Sequence, residues 1–383
     1  MHGPEVEPER LAPYQDAVQS SRLGGARLVS LDALRGFDMF WIAGGTEILF
    51  GLGKVIHRPM FDKLLEQFEH VPWQGLHLYD LIWPHFMFIM GAAIPLGIAR
   101  RRARGQRDRT LLLHAGWRAL VMFCLGTVTQ GDLLRFDWQR FHPCYSVLHG
   151  LAVGYLVAMI VAVKVRPKWH LAVVAALLLG YWAVVMLIPV PGVGAGVLTP
   201  SGNLPTYVDQ LVLGHLHYGL NTWFVSYPAF GASVLLGVPA GHLLMSGLAP
   251  MNKVYRLLAA GALSLAGGLV WSLSFPVIKL MWTSSFVLIS AGLSFMALAV
   301  FYWIIDVLDY QRWAFGFTVL GMNSIAVYVG TMLFDFRHVG NIFVGHLLPH
   351  LGSWASFVEA SAAFAVVWLI LYWMYRKKEF IRI

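Results

Sequence analysis

Residues 69–91 read EHVPWQGLHLYDLIWPHFMFIMG, and this stretch passes from a polar, tryptophan-bearing loop into an apolar helix. It carries His70, His77, Asp80 and His85 toward lipid. A charged side chain near the centre of a bilayer costs roughly 2.5–3.5 kcal/mol, and less toward the interface. Asp80 lies about one turn inside the predicted helix, so two interpretations stay open. It is either an interfacial carboxylate satisfied by nearby donors, or part of a polar cavity that opens to the outside.

The whole chain has the composition of a membrane protein. Of its 383 residues, 58% are hydrophobic and only 13% are charged, and the mean hydropathy is +0.63. A soluble domain carries roughly 25% charged residues. The sequence therefore predicts an all-α, polytopic helical membrane protein with about ten transmembrane helices. The predicted spans lie at about 30–50, 77–99, 110–129, 144–163, 170–190, 223–245, 254–274, 284–305, 315–335 and 354–375.

The basic residues indicate how these spans are oriented. Most Lys and Arg residues fall in alternate loops, above all in the run RRRARGQRDR at 100–109. Under the positive-inside rule, this asymmetry predicts that both termini are cytoplasmic. The net charge of +8 then belongs to loops that border lipid, and no nucleic-acid partner is expected.

The chain is predicted to form one membrane domain with two short tails. Residues 1–28 mix both charges with Pro and Gly and lack the apolar core of a signal peptide, so we expect a mobile cytoplasmic tail. Residues 29–376 form the transmembrane domain. Residues 377–383 form a basic cytoplasmic tail.

Ionisable residues also occur in the first predicted span. Asp32, Arg35 and Asp38 lie at positions i, i+3 and i+6, within about 120° of the helix. Asp32 and Arg35 can pair locally, as residues at the start of a helix often do. Asp38 is deeper and requires a partner on another helix, or water in a cavity. We therefore regard Asp38 as a candidate substrate-binding residue.

Further polar residues fall on the same predicted outer side. We take four of them as candidate substrate-binding residues: Trp73, His77, Asp209 and Trp282. Histidine suits general-base chemistry at neutral pH, but residue types alone do not show which histidine would serve. His215 and His217 form an HxH pair without a third and fourth ligand at a helpful spacing, so no metal is expected.

Several of these stretches together resemble one known family, the heparan-alpha-glucosaminide N-acetyltransferases and their bacterial relatives. The resemblance covers roughly residues 28–375, and the large luminal domain that precedes the spans in the animal enzyme is not expected here. The motifs occur in the family's order: SLDALRGFDMFW, HVPWQGLHLYDLIWPHFMFIMGAAIPL, GNLPTYVDQLVLG, LLGVPAGHLL, PVIKLMWTSSFVLISAGLS, FYWIIDV and GMNSIAVYVG.

The resemblance implies a membrane acyltransferase in a bacterial inner (cytoplasmic) membrane. Acetyl-CoA or another acyl-CoA would be the co-substrate, and an amino sugar or related carbohydrate on the outer side would be the acceptor. His70 matches the family's proposed active-site histidine, and Lys279 matches a lysine of the PVIKLMWTSS run. Asn323 and Ser324 match its GMNS motif.

We add two roles to those that the resemblance implies. Asp80 is expected to orient an imidazole or to influence its charge. This inference rests on the helical face and the depth at which Asp80 lies. Arg35 is expected to meet the phosphates of CoA, together with Lys279, Asn323 and Ser324 as the residues that bind the donor.

The chain also departs from the family pattern. Thr46 stands about where the animal enzyme has an asparagine, and Ile278 replaces the asparagine before the motif lysine. Two alternatives therefore stay open beside the enzyme: a transporter of a polar solute, since intramembrane charges would serve it equally well, and a catalytically degenerate scaffold member of the family. The oligomeric state is also open, with a homodimer as one option.

Overall fold

The computed structural model describes residues 28–217 and 219–381, and within them it is built from helices without a β-strand. Almost all of the predicted tail 1–28 lies outside these residues. We number the α-helices in chain order as α1 (Val29–Phe40), α2 (Thr46–Gly53), α3 (Pro59–Glu66), α4 (Ile82–Ala103), α5 (Asp108–Thr129), α6 (Val147–Lys164), α7 (His170–Leu187), α8 (Leu204–Leu213), α9 (Tyr227–Met245), α10 (Pro250–Ser272), α11 (Ser284–Tyr302), α12 (Phe315–Met322), α13 (Ser324–Leu333), α14 (Phe336–Val344) and α15 (Ala355–Lys377).

Eight helical stretches in the described part of the chain are long and apolar enough to cross a membrane. They are Leu78–Ala103, Asp108–Thr129, Val147–Lys164, Pro167–Leu187, Tyr227–Met245, Pro250–Ser272, Ser284–Val307 and Gly352–Lys377. A ninth candidate is the pair Arg312–Met322 and Ser324–Leu333, which is bent by 65°. The all-α polytopic membrane fold is therefore confirmed, while the orientation of the termini stays a prediction.

The first predicted span, 30–50, is helical but interrupted. Helices α1 and α2 are joined by a π-helical segment, Trp41–Gly45, in which Gly44 has φ of 143°. A side chain at that φ would be strained, so the glycine permits the break. Each of the two α-helices is shorter than the about 20 residues that a straight span requires.

Glycine allows the central helices to approach closely. A Cβ atom on Gly91 of α4 would lie 1.8 Å from the backbone oxygen of Val234 in α9, and one on Gly237 would lie 2.0 Å from that of Phe88. Packing through small residues is the usual way in which transmembrane helices associate. The α4–α9 contact fixes the helix that carries Asp80 against the centre of the bundle.

Two connecting segments meet at one end of this bundle. The Gly75 amide donates a hydrogen bond to the Val277 carbonyl over 2.9 Å, which joins the loop before α4 to the segment before α11. In the second segment, Trp282 adopts φ of 57° and its amide donates to the Lys279 carbonyl over 2.9 Å. This tight turn directs the Lys279 side chain toward the start of α4, where it reaches Asp80.

Candidate active site

Asp80 lies at the centre of a polar cluster where α4 begins. Its side chain is 1% exposed and belongs to a short 3₁₀ turn, Leu78–Leu81. Its Oδ2 accepts the backbone N–H groups of Val71 at 3.3 Å and His77 at 3.2 Å. The loop that precedes the helix therefore wraps over the carboxylate, and these hydrogen bonds offset part of the cost of burying it.

His70 is bonded to the other carboxylate oxygen. Its Nδ1 lies 2.8 Å from Asp80 Oδ1, while 58% of its side chain is exposed. An ionised carboxylate only accepts hydrogen bonds, so in this contact Nδ1 carries the proton and donates it. The second ring nitrogen, Nε2, then keeps a lone pair. The Tyr79 ring packs against the imidazole with centroids 4.9 Å apart, which further limits how the ring can rotate.

Lys279 completes the cluster. Its Nζ donates to Asp80 Oδ1 over 2.9 Å and lies 3.0 Å from His70 Nδ1. Only 15% of the Lys279 side chain is exposed, and this burial lowers its pKa below the usual value, although the Asp80 carboxylate acts in the opposite direction. The buried anion is thus paired with a cation and with an imidazole at once.

A cavity of about 240 Å³ opens beside the cluster, and His70, Tyr79 and Lys279 line its polar rim. Gln130, Ser324 and Tyr328 contribute polar groups elsewhere in its wall, where the Tyr328 hydroxyl donates to Gln130 Oε1 over 2.9 Å. The remaining wall is apolar: Met39, Ile42, Ile82, Trp83, Phe86, Val147, Leu148, Leu151, Ile325 and Met332. A largely apolar pocket with a few convergent polar groups is the usual form of a small-molecule site.

Four of the candidate residues come together at this site: His70, Asp80, Lys279 and Ser324. His70 and Asp80 are separated by ten residues, but Lys279 comes from the distant segment before α11. Three of these four residues line the cavity, and Asp80 is bonded to two of them; the other candidate residues lie outside the lining.

The candidates in the first span have partners of their own. Asp38 is buried and accepts a hydrogen bond from His85 Nδ1 over 2.9 Å, which is the partner on another helix that its depth requires. Its sequence neighbour Met39 lines the cavity. Arg35 pairs with Asp32 over 3.3 Å, as the i, i+3 spacing indicates.

Asn323 lies at the break between α12 and α13, next to the cavity residue Ser324. Its Nδ2 donates to the Glu379 carbonyl over 3.3 Å, and its Oδ1 accepts the Ile381 amide over 3.0 Å. The amide side chain therefore attaches the segment after α15 to the bend in the bundle.

Trp73 and His77 stabilise the loop that precedes α4 through hydrogen bonds to backbone carbonyls. The Trp73 Nε1 donates to the Leu198 carbonyl over 2.8 Å, and the His77 Nδ1 donates to the Glu69 carbonyl over 3.0 Å. Both bonds stabilise the loop that carries His70.

Asp209 is fully buried and accepts the backbone N–H groups of Trp223 at 2.7 Å and Phe224 at 3.1 Å. Burial raises its pKa to about 6, although these two hydrogen bonds act to lower it. Asp209 thus anchors the segment before α9.

Trp282 is buried as well: its Nε1 donates to Ser233 Oγ over 2.8 Å, and the centroid of its ring lies 4.5 Å from that of Trp83 in the cavity wall.

Sequence reasoning missed three polar residues of the cavity: Tyr79, Gln130 and Tyr328. Two signals were available, because Tyr79 directly precedes Asp80 and Tyr328 follows Ser324 by four residues, on one helical face. If Ser324 is a site residue, the spacing of four residues therefore predicts that Tyr328 lies on the same face of α13. Residues 28–217 and 219–381 contain no group of three His, Cys, Asp or Glu side chains arranged to hold a metal ion.

These features define a class of protein: a multi-pass helical membrane protein with a His–Asp–Lys cluster at the mouth of a cavity. No protein-family model matches the chain. Among characterised proteins, the human heparan-alpha-glucosaminide N-acetyltransferase is 27% identical over an alignment of 438 residues, which covers 98% of this chain and 63% of the human protein. The mouse protein of the same name is 25% identical over 430 residues, covering 97% of this chain and 62% of its own length.

This similarity extends over nearly the whole chain, and it confirms the resemblance predicted from the motifs. The chain is thus related to the heparan-alpha-glucosaminide N-acetyltransferases. It spans less than two thirds of the length of either of these relatives.

Proposed function

We propose that this chain is a membrane acyltransferase that moves an acetyl or other acyl group from acyl-CoA to an amino sugar or a related carbohydrate acceptor. One observation carries the proposal: the buried Asp80 carboxylate bonds both to the exposed His70 and to Lys279. The names of the two relatives, both N-acetyltransferases, support the reaction type.

His70 is the catalytic base of this proposal. With Nδ1 bonded to Asp80, the imidazole presents Nε2 to the acceptor. The acceptor nitrogen or oxygen attacks the thioester carbonyl while Nε2 takes the proton of the attacking atom. The carbon–sulfur bond then breaks, and the departing CoA thiolate receives that proton from Nε2. Base catalysis of this kind typically contributes 10²–10⁴ in rate. Asp80 does not react; it holds the ring and its tautomer, and the carboxylate stabilises the imidazolium that forms in passing.

Lys279 has two roles in the same step. Its bond to Asp80 keeps the carboxylate charged and fixed within a buried site. Lys279 also lines the cavity. Its ammonium is proposed to face the thioester oxygen as that oxygen gains negative charge, and a fixed cation in a poorly solvated site stabilises such an oxyanion.

The cavity suits the reactive end of the donor. Its volume of about 240 Å³ is below the roughly 300–1,000 Å³ that encloses a drug-sized ligand. The apolar wall therefore fits an acyl group and its thioester, whereas the nucleotide of CoA would lie beyond it. Arg35, Asn323 and Ser324 are proposed as donor contacts. The acceptor would approach His70 from the outer side of a bacterial inner membrane.

A direct assay tests the proposal. Purified protein in detergent is incubated with radiolabelled acetyl-CoA and a glucosaminide, and transfer by wild type is compared with His70→Gln. The control is His57→Gln, which replaces an exposed histidine of the same predicted loop, in the segment before α3. We expect His70→Gln to lose at least about a hundredfold in rate and His57→Gln to match wild type.

Two results would overturn parts of the proposal. Full activity of His70→Gln would exclude the base, and absence of transfer to any amino sugar by folded wild type would favour a solute transporter or a scaffold. Omitting the acceptor distinguishes direct attack from a transient acyl group on Nε2, because only the latter leaves label on the protein.

A further inference from the structure

A second groove lies on the surface of α5 and α6, away from the candidate active site. Its volume is about 540 Å³, and it is lined mainly by apolar side chains with one cation from each helix. The residues that matter here are Arg109, Leu113, Gly116, Trp117, Leu120 and Lys164.

The groove runs along one stripe of α5. Its members follow Arg109 along the helix at spacings that place them on one face: Leu113, Gly116, Trp117 and Leu120. At 1.5 Å per residue, Arg109 to Leu120 covers about 16 Å, close to half of a hydrocarbon core about 30 Å thick. The stripe is thus as long as one leaflet is deep.

Both cations lie at the same end of the groove. Arg109 is in the first turn of α5 and Lys164 ends α6, and these helices pack side by side. Both residues are exposed, and within the described residues neither takes part in an ion pair. A pair of cations at a membrane surface attracts an anionic headgroup.

The apolar part is open to lipid. Trp117 is 64% exposed, and an added Cβ on Gly116 would meet no atom within 4 Å. Gly116 therefore forms the floor of a channel beside the Trp117 ring rather than a contact between helices.

We propose that this groove binds an anionic phospholipid, with its phosphate between Arg109 and Lys164 and one acyl chain along Gly116 and Trp117. Charge complementarity and the length of the stripe select this occupant. The predicted cytoplasmic location of the run 100–109 agrees, because anionic lipids give that leaflet its negative surface. The site does not depend on the acyltransferase reaction.

Native mass spectrometry of purified protein tests the site. Wild type is titrated with dioleoyl phosphatidylglycerol or with dioleoyl phosphatidylcholine, and we expect the anionic lipid to bind at least about tenfold more tightly. Arg109→Gln/Lys164→Gln should remove this preference. The control Arg104→Gln/Lys168→Gln removes two cations that do not line the groove and should keep it.

A second pair of variants tests the acyl channel. Gly116→Leu places a larger side chain in the groove, at a position where an added Cβ meets no atom within 4 Å, and we expect it to weaken binding of both lipids. Gly180→Leu is matched, because it lies in α7 with the same open space and outside the groove. Equal binding of both lipids by wild type, or an unchanged preference in Arg109→Gln/Lys164→Gln, would overturn the proposal. Competition by free glycerol 3-phosphate as strong as that by the lipid would mean a phosphate site instead.

Discussion

The ammonium of Lys279 donates a hydrogen bond to the carboxylate of Asp80 over 2.9 Å, although 199 residues separate them in the chain. Asp80 lies at the start of one candidate transmembrane span, and Lys279 lies in the connection that leads into another. Their contact joins the two halves of the candidate active site and leaves His70 at its exposed edge. The following predictions test that contact and its surroundings.

Asp80→Asn should lower kcat about a hundredfold or more while changing KM little. The amide keeps the shape of the side chain, but its NH₂ group can face His70 Nδ1 and favour the tautomer that lacks a lone pair on Nε2. Steady-state acetyl transfer measures the effect. The control Asp62→Asn lies on exposed α3 and should behave as wild type. An unchanged kcat in Asp80→Asn would remove its orienting role.

Asp80 and Lys279 should be strongly coupled in stability. Lys279→Met leaves a carboxylate that is 1% exposed without its cation, and breaking a buried ion pair on one side costs about 3–5 kcal/mol. The double variant Asp80→Asn/Lys279→Met removes both charges and should lose less than the two single variants together. Thermal unfolding in detergent, read as a double-mutant cycle, measures the coupling. Additive losses would contradict it.

Gly91→Ala should destabilise the bundle, because the new Cβ would meet the Val234 backbone oxygen of α9 at 1.8 Å. The helices must then separate, and the start of α4 moves with them. Gly97→Ala is the matched control in the same helix, where the added methyl meets nothing within 4 Å. We expect Gly97→Ala to be neutral or slightly stabilising. Equal melting temperatures of the two variants would show that the helices do not cross this closely.

Asp209 should make stability depend on pH. Burial raises its pKa from 3.8 to about 6, so between these values the folded protein binds a proton that the unfolded chain does not. The stabilisation is fully present below about pH 4 and is lost as the pH rises through 6. Asp209→Asn should flatten this part of the profile, measured as melting temperature against pH. Parallel profiles for variant and wild type would contradict the assignment.

Much of the site was predicted from the sequence because its parts are local. The motif that contains His70 and Asp80 lies in one segment of eleven residues, and the depth of Asp38 requires a partner on another helix. The identity of that partner, His85, was not predicted. The sequence predicts Trp282 and Asp209 as substrate contacts because they lie on the predicted outer side. In the fold, both are buried and serve the segments that surround the cavity.

The sequence by itself determined the membrane class, the position of eight of the ten predicted spans and the segment that carries His70. Hydropathy is summed over neighbouring residues, and the thickness of the bilayer sets the length of a spanning helix. The presence and the length of a span can therefore be predicted from a short stretch of sequence. Only the tertiary structure decided that Lys279 reaches Asp80, that Tyr328 and Gln130 line the cavity, and that the first span is broken at Gly44. These contacts depend on how closely glycine-lined helices approach and how the connecting loops turn, and no sum over neighbouring residues contains that information.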